Sequence, residues 1–176
     1  MRLFIAINFD YETHSQLLEL RDAVRSDSQR GSFVLDDNLH LTLVFLGECD
    51  MKQAEAVKKV MSEVTFDPIG LFIDKLGRFR RDGSDIWWAG ISTSTTLLEL
   101  QRCLSDKLKQ AGFLIDNRKY TPHITLGRKV YTNMAPKQLD PFGQLILGID
   151  LMKSERIDGI LTYTSVFYKN CQIQKE

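Results

Sequence analysis

Cysteine is scarce in this sequence, and the few cysteines form no pattern. The 176 residues include three, Cys49, Cys103 and Cys171, an odd number without a Cys-x-x-Cys pair. A disulfide-stabilised scaffold needs paired cysteines, and a zinc site needs closely spaced ligands. Neither is indicated, so the sequence predicts reduced thiols in a cytoplasmic protein.

The sequence also lacks a net charge and a long apolar segment. Its 23 basic and 23 acidic residues balance, so no global field exists to hold a long nucleic acid, and any RNA contact should be short and local. No apolar run reaches membrane-spanning length, and the chain enters a strand pattern without a signal-peptide pattern. We therefore expect no membrane partner. With 43% hydrophobic residues, the chain suffices for one compact domain or two lobes sharing a core.

Histidine is scarce as well, yet two of the three histidines lie in the same pattern. The segments at 39–43 and 122–126 both read His-x-Thr, with His40 and Thr42 in the first and His123 and Thr125 in the second. Chance would produce this coincidence about 1% of the time. Because alternate side chains of a strand share a face, each histidine should share a face with its threonine. The apolar residues between and beside them should turn to the core: Leu39, Leu41, Leu43 and Phe45 in the first copy, and Ile124 and Leu126 in the second.

A single copy of this pattern is most simply a strand with a hydrogen-bonded histidine and a threonine that suits β-structure. Two copies favour chemistry, since two imidazoles across a cleft supply a general base and a general acid. Two neighbouring hydroxyls can donate hydrogen bonds to phosphate oxygens. No carboxylate, cysteine or third histidine lies at ligand spacing around either copy. The residues therefore predict phosphodiester chemistry without a metal ion.

Hydrophobic periodicity predicts alternating strands and helices. Besides the two motif strands, strands are predicted at 3–9, 71–79, 85–91, 145–153 and 160–168. Helices are predicted at 11–25, along the apolar stripe 54–64 after an Asp50–Gln53 capping box, and between a Thr93 or Ser94 cap and Gly112. Polar loops are predicted at 26–31 and 131–141, and hairpin turns at Asp82-Gly83 and Asp158-Gly159.

This order of elements repeats within the chain. His40 and His123 are 83 residues apart, and the same offset carries Leu3, in the first strand, to Ile86 in the strand at 85–91. Two like units around a pseudo-twofold axis would place the polar faces of the motif strands opposite each other. The sequence thus predicts that residues 1–176 form a single bilobal domain.

Four stretches resemble the two-histidine phosphoesterases, and within them the RNA 2′,3′-cyclic phosphodiesterases, also called 2′-5′ RNA ligase-like proteins. They are residues 2–7, 38–48, 121–128 and 151–155, which follow the family's order over nearly the whole chain. The resemblance implies a bilobal α+β fold, with antiparallel sheets around a central cleft and helices packed outside. It also implies that His40 is the proton donor and His123 the proton acceptor, a choice that the symmetric repeat cannot make.

The activity implied by the resemblance is metal-independent hydrolysis, without a cofactor, of a 2′,3′-cyclic phosphate on an RNA or nucleotide end. A 2′-phosphate product is implied by the resemblance alone, and the reverse reaction would join RNA ends by a 2′-5′ linkage. Two alternatives stay open: a phosphodiesterase for 2′-5′ oligonucleotides or small cyclic nucleotides, and a non-catalytic module that binds RNA ends. A monomer is expected.

Basic residues around the second motif give a weaker indication of phosphate binding. Arg118 precedes the motif, and Arg128 follows it and matches the family's pattern. Strict alternation turns Arg128 away from His123, so a kink at Gly127 is needed to bring it into the cleft. Arg80 and Arg81 are more typical of a solvated hairpin tip.

Aromatic side chains near the phosphate site could stack on a nucleobase. The candidates are Phe33, Phe79, Tyr120 and Tyr163, although each type is more often found in a core. Trp87 and Trp88 must face opposite sides of their strand, so one is predicted in the core and the other has no assigned role.

Overall fold

The computed structural model describes residues 1–92 and 94–172. Its strands are β1 Arg2–Ile7, β2 Ser28–Phe33, β3 Leu41–Glu48, β4 Ile69–Phe79, β5 Asp85–Ile91, β6 His123–Thr132, β7 Lys137–Ile146, β8 Gly148–Ile157 and β9 Ile160–Asn170. Its helices are α1 Tyr11–Asp27, α2 Met51–Glu63 and α3 Thr95–Gln110, and a short 3₁₀ helix covers Asp36–Asn38. Across these described ranges, no helix is both long and apolar enough to cross a membrane.

The strands form two antiparallel sheets, which confirms the predicted α+β class. Sheet A has the order β3-β1-β8-β9, and sheet B has the order β2-β6-β5-β4-β7. β4 follows the first motif along the chain but lies in sheet B, whereas β8 follows the second motif but lies in sheet A. Each half of the chain therefore completes the sheet that holds the other half's motif strand.

The helices begin where the sequence predicts, and side-chain hydrogen bonds cap their first turns. Asp10 caps α1 by accepting from the Thr13 amide at 2.8 Å, and Asp50 forms the predicted capping box with Gln53 before α2. Ser94 caps α3, whereas the alternative cap, Thr93, lies outside the described residues. These caps satisfy amides that no helix can pair internally.

One continuous apolar core joins the two sheets and the helices. It includes Leu3 and Leu41 from sheet A, Trp87 and Ile124 from sheet B, and buried residues from all three helices, among them Leu17, Val57 and Leu104. Burial of this much apolar surface is the main source of stability for a chain of this size. Both motif strands are therefore anchored in the same core.

The predicted loop at 26–31 is wrong. Helix α1 runs to Asp27, and β2 follows at once, paired with β6. β2 is an edge strand of sheet B and is mostly exposed, so its sequence shows no alternation of apolar and polar residues. Its pairing partner lies about 100 residues away and is invisible to local periodicity.

The predicted loop at 131–141 is also wrong, because β6 extends to Thr132 and β7 begins at Lys137. β7 contains Pro141, which an edge strand tolerates since its missing amide donor interrupts no central ladder. The predicted strand at 145–153 is interrupted at Leu147, between β7 and β8. The Asp158-Gly159 hairpin is confirmed, with positive φ at both residues.

Candidate active site

A β-bulge in β3 decides which of its side chains face the site. Leu43 is an extra residue relative to β1, between Thr42 and Val44, and both Leu43 and Val44 are buried. Alternation therefore resumes one residue late. The prediction that Phe45 faces the core is wrong: it lies opposite Phe4 and is 51% exposed. We call the sheet face that carries a motif histidine its cleft face.

β6 has a bulge at the equivalent position. Leu126 is an extra residue relative to β5, and the next residue, Gly127, lies opposite Trp87, which faces the core. The following side chain, Arg128, therefore returns to the cleft face, on the same side as Thr125. This bulge provides the kink that Arg128 requires.

Both motif histidines are fixed by backbone carbonyl groups. Nδ1 of His40 lies 2.7 Å from the Asn38 carbonyl oxygen, and Nδ1 of His123 lies 2.8 Å from the Thr121 carbonyl oxygen. A carbonyl oxygen can only accept, so Nδ1 carries the proton in both rings. In their neutral forms, the two rings therefore present an unprotonated Nε2.

The two motif threonines share a strand face with their histidines, but only Thr42 is hydrogen-bonded to its histidine. The Thr42 hydroxyl is 2.9 Å from Nε2 of His40 and donates to it when the ring is neutral. Thr125 lies opposite Trp88 in the sheet register, two residues beyond His123 on the same face. The first motif thus holds its hydroxyl against its imidazole, whereas the second places its hydroxyl on the same strand face as its imidazole.

Aromatic rings surround each histidine in a similar arrangement. Tyr163 packs edge-on against His40, with centroids 5.2 Å apart, and Phe4 packs tilted at 4.9 Å. Phe79 packs edge-on against His123 at 5.1 Å. These rings pack against both imidazoles and restrict their orientation.

Trp88 completes the surroundings of His123. Its centroid lies 6.4 Å from that of His123, whereas Trp87 is fully buried in the core, which confirms that the two indoles face opposite sides. A Cβ added at Gly77 or Gly90 would come within 2.3 or 2.7 Å of the Trp88 ring. The two glycines therefore form the flat surface on which Trp88 lies.

Burial and the charge of Arg128 affect the pKa of both histidines. Burial lowers the pKa of His40 below its ordinary value, and the nearby charges of Arg128 and His123 lower it further. Burial and the Arg128 charge likewise lower the pKa of His123. In each ring, the hydrogen bond to the carbonyl oxygen opposes this shift. Both imidazoles are thereby biased toward the neutral, proton-accepting form.

Of the predicted substrate-binding residues, Arg128 and Tyr163 lie with the histidines. Phe33 lies opposite Gly127 on the core face, beneath the Arg25 guanidinium at 5.4 Å. Its ring is directed away from the cleft.

Two further candidates are also occupied elsewhere. The Tyr120 hydroxyl donates to the Thr42 carbonyl oxygen at 2.9 Å, its ring packs against the core, and burial raises its pKa. Arg118 is exposed and bonds Asp116 in its own loop at 2.8 Å. The structure therefore does not bring Tyr120 or Arg118 to the histidines as free binding groups.

Asn38 is a site residue that sequence reasoning missed. Its carbonyl group orients His40, and its buried side chain donates to the Leu161 carbonyl oxygen at 2.8 Å. Leu161 lies on β9, two residues before Tyr163. Asn38 thereby joins the segment that holds His40 to the strand that packs against it. No local sequence pattern indicates this contact, because 123 residues separate its partners.

This arrangement can transfer protons on two sides of a bound phosphodiester while hydroxyl groups and a guanidinium contact its oxygens. A metal site would need clustered ligands. Within the part of the chain that the structure describes, no group of three or more histidine, cysteine, aspartate or glutamate side chains is placed to hold a metal ion.

Comparison with known proteins gives consistent matches. The sequence profile of the 2′-5′ RNA ligase superfamily matches residues 9–146. The RNA 2′,3′-cyclic phosphodiesterase of Thermotoga maritima is 31% identical over 99% of this chain and 96% of its own length. That of Escherichia coli K12 is 33% identical over 72% of this chain and 71% of its own length.

Solved structures share the fold. The crystal structure of E. coli LigT complexed with 3′-AMP superimposes with a TM-score of 0.84, covering 98% of both chains at 25% identity. The structural match covers nearly the whole chain, and the profile match includes both His-x-Thr segments.

Proposed function

This chain belongs to the 2′-5′ RNA ligase superfamily, and from that premise we infer that it is an enzyme that hydrolyses 2′,3′-cyclic phosphates at RNA or nucleotide ends. The curated relatives named as RNA 2′,3′-cyclic phosphodiesterases match over most of the chain. LigT, which shares the fold, was crystallised with 3′-AMP, so a nucleotide is a reasonable ligand for this cleft. The product is a 2′-phosphomonoester.

The observation that carries this proposal is the matched orientation of the two histidines. Each has Nδ1 fixed by a backbone carbonyl oxygen, which leaves Nε2 of His40 and of His123 available for proton transfer. The charge of Arg128 acts on both rings. One phosphate held near Arg128 is therefore within reach of a base and an acid together.

In the proposed reaction, Nε2 of His123 takes a proton from water as the water oxygen bonds to phosphorus. The bond between phosphorus and the ribose O3′ breaks, and His40, protonated at Nε2, gives its proton to O3′. The phosphate remains on O2′, and His123 ends protonated while His40 ends neutral. Exchange with solvent restores the starting protonation states.

The negative charge of the substrate makes these protonation states accessible. A phosphodiester anion between the rings favours the imidazolium form and opposes the lowering of the histidine pKa values by burial. Thr42 and Thr125 donate to the non-bridging oxygens, and Arg128 neutralises the charge that develops on them. No step in this scheme requires a metal ion.

The direct test measures turnover of a nucleoside 2′,3′-cyclic phosphate by chelator-treated protein in the presence of EDTA. We expect full activity and a 2′-phosphate product identified by chromatography against both isomers. Activity that disappears with EDTA and returns with Zn²⁺ or Mn²⁺ would contradict the metal-free mechanism. Binding without turnover would instead indicate a module that only holds RNA ends.

A second test separates the roles of the histidines. A nitrophenolate leaves without protonation, so a nitrophenyl phosphodiester should restore much of the activity of His40→Ala but not that of His123→Ala. Each role is expected to contribute roughly 10²–10⁴-fold on the natural leaving group. Rescue of His123→Ala instead would show that His123 is the proton donor and His40 the proton acceptor.

We also propose that residues 1–176 act as one bilobal domain and as a monomer. All site residues come from a single chain, and one core joins both sheets. Cys49 and Cys171 are buried free thiols, and Cys103 is a partly exposed one. This fits a reducing compartment, which supports a cytoplasmic location.

A further inference from the structure

Positive charge is concentrated at one end of sheet B, although the whole chain has no net charge. Two adjoining surface depressions there are lined by five basic side chains, Arg30, Arg78, Arg80, Arg81 and Lys129. Two acidic residues, Asp82 and Asp85, also belong to the linings. We call these five basic residues, with Tyr131, the basic surface.

The basic surface begins at the cleft. Ser32 lies opposite Arg128 in the sheet register, and it lines the depression of about 380 Å³ that also contains Arg30 and Lys129. Gly83, at the tip of the β4–β5 hairpin, lines both this depression and its neighbour of about 340 Å³. A strand that leaves the cleft past Arg128 therefore meets Arg30 and Lys129 first and the hairpin next.

Most of these charges are not used inside the fold. Arg78 lies 3.7 Å from the Asp85 carboxylate. In contrast, Arg30, Arg80, Arg81 and Lys129 form no ion pair with any residue in 1–92 or 94–172. Their charges are therefore available to an anionic ligand.

An aromatic ring accompanies the charges. The Arg30 guanidinium lies 5.3 Å from the centroid of the Tyr131 ring, and Tyr131 is 50% exposed. Basic groups that follow a phosphate backbone, together with a ring that stacks on a base, are the usual composition of a single-strand binding surface.

We propose that the basic surface binds the RNA strand that ends in the cyclic phosphate, so that the preferred substrate is an oligonucleotide rather than a mononucleotide. This inference rests on the proposed function, because the cleft holds the end of the same strand. Phosphates of the preceding nucleotides contact Arg30, Lys129 and the hairpin arginines, and one base stacks on Tyr131.

The kinetic test compares two substrates on two double variants. The substrates are an oligoribonucleotide of about eight nucleotides with a 2′,3′-cyclic end and a nucleoside 2′,3′-cyclic phosphate, which is too small to reach the hairpin. For Arg80→Ala/Arg81→Ala, we expect the ratio of the two kcat/KM values, oligonucleotide to mononucleotide, to fall about tenfold, or about 0.7 kcal/mol for each charge. Lys52→Ala/Lys109→Ala removes two positive charges from the exposed faces of α2 and α3 and should leave the ratio unchanged.

A binding measurement gives an independent readout. The dissociation constant of a fluorescently labelled oligoribonucleotide with a plain 3′-hydroxyl end is measured by anisotropy over a range of salt concentrations. Each lost phosphate contact should reduce the slope of log Kd against log salt by about 0.7, so the hairpin variant should lose about 1.4.

The outcomes separate this inference from the proposed function. If the wild type opens both substrates but the hairpin variant keeps the wild-type ratio and salt slope, the basic surface does not bind the strand, and the proposed function stands. An equal loss on both substrates also overturns the inference, since the hairpin then acts through the cleft. If the wild type opens neither substrate, the proposed function fails, and the salt slope alone decides the role of the basic surface.

Discussion

Arg128 influences the two site histidines by its charge, in addition to the phosphate contact proposed for it. Burial lowers the pKa of both rings, and the Arg128 charge lowers them further. The proton acceptor must be neutral and the donor protonated, so kcat/KM should follow a bell-shaped pH profile. With both pKa values below the ordinary histidine value of about 6.5, the optimum is expected on the acidic side of that value.

Arg128→Ala should move both limbs of this profile to higher pH, because it removes a cation that disfavours protonation of His40 and His123. The rate also falls, but the position of the limbs is the readout. Arg128→Lys retains the charge and should leave the limbs in place. Arg118→Ala removes an exposed charge that pairs with Asp116 in its own loop, and it serves as the control. Limbs that stay fixed in Arg128→Ala would mean that its charge does not reach the histidines.

Because β4 packs closely against the Trp88 ring, a single methyl group added at Gly77 tests whether Trp88 supports the site. In Gly77→Ala, the new Cβ would lie 2.3 Å from the indole, closer than any real contact, so the ring must move. Overpacking of this kind typically costs about 1–3 kcal/mol of unfolding free energy. Since Trp88 packs beside His123, we also expect a lower kcat and a changed tryptophan emission spectrum.

Gly70→Ala, on the same strand, is the matched control for Gly77→Ala. There the added Cβ would approach the exposed Phe72 ring at 3.3 Å, and the ring can turn toward solvent. We expect urea unfolding and kcat close to wild type for this variant. If Gly77→Ala were equally stable and active, Trp88 would have room to move without affecting His123.

Elements with strong local signals were predictable, whereas those that depend on distant partners were not. The helix caps and the apolar stripe of α3 depend only on residues that are close together in the sequence, so they can be predicted from it. β2 and β7 are edge strands that form by pairing with β6 and β4, so their own sequences read as loops. The bulges could not be predicted from the sequence either, because Leu43 and Leu126 fit a regular strand as well as a bulged one.

The residues of the site also divide into those that the sequence identifies and those that it does not. The two His-x-Thr copies identified its centre, since a repeat is visible in a sequence. The rings around the histidines come from four different strands: Phe4 from β1, Phe79 from β4, Trp88 from β5 and Tyr163 from β9. Only the strand order brings them together, and no spacing along the chain indicates it.

The exchange of β4 and β8 between the sheets predicts that the chain unfolds in one cooperative step. Trp87 and Trp88, the two tryptophans of the chain, report on sheet B, and the buried thiols of Cys49 and Cys171 follow β3 and β9 of sheet A. Tryptophan fluorescence and thiol reactivity should therefore give the same urea midpoint. Two separate midpoints would show that the sheets are independent domains.

The strand exchange has a further consequence at the β4–β5 hairpin. A backbone cut at its exposed tip would separate the chain into two fragments, each with one motif histidine. Each fragment would also carry two strands of the sheet that holds the other fragment's motif strand, β2 and β4 in the first fragment and β8 and β9 in the second. Neither fragment would complete a sheet alone, but together they would contain every pairing in the molecule. Each half of the enzyme therefore needs the other half to complete its sheet, although only one short turn links the two.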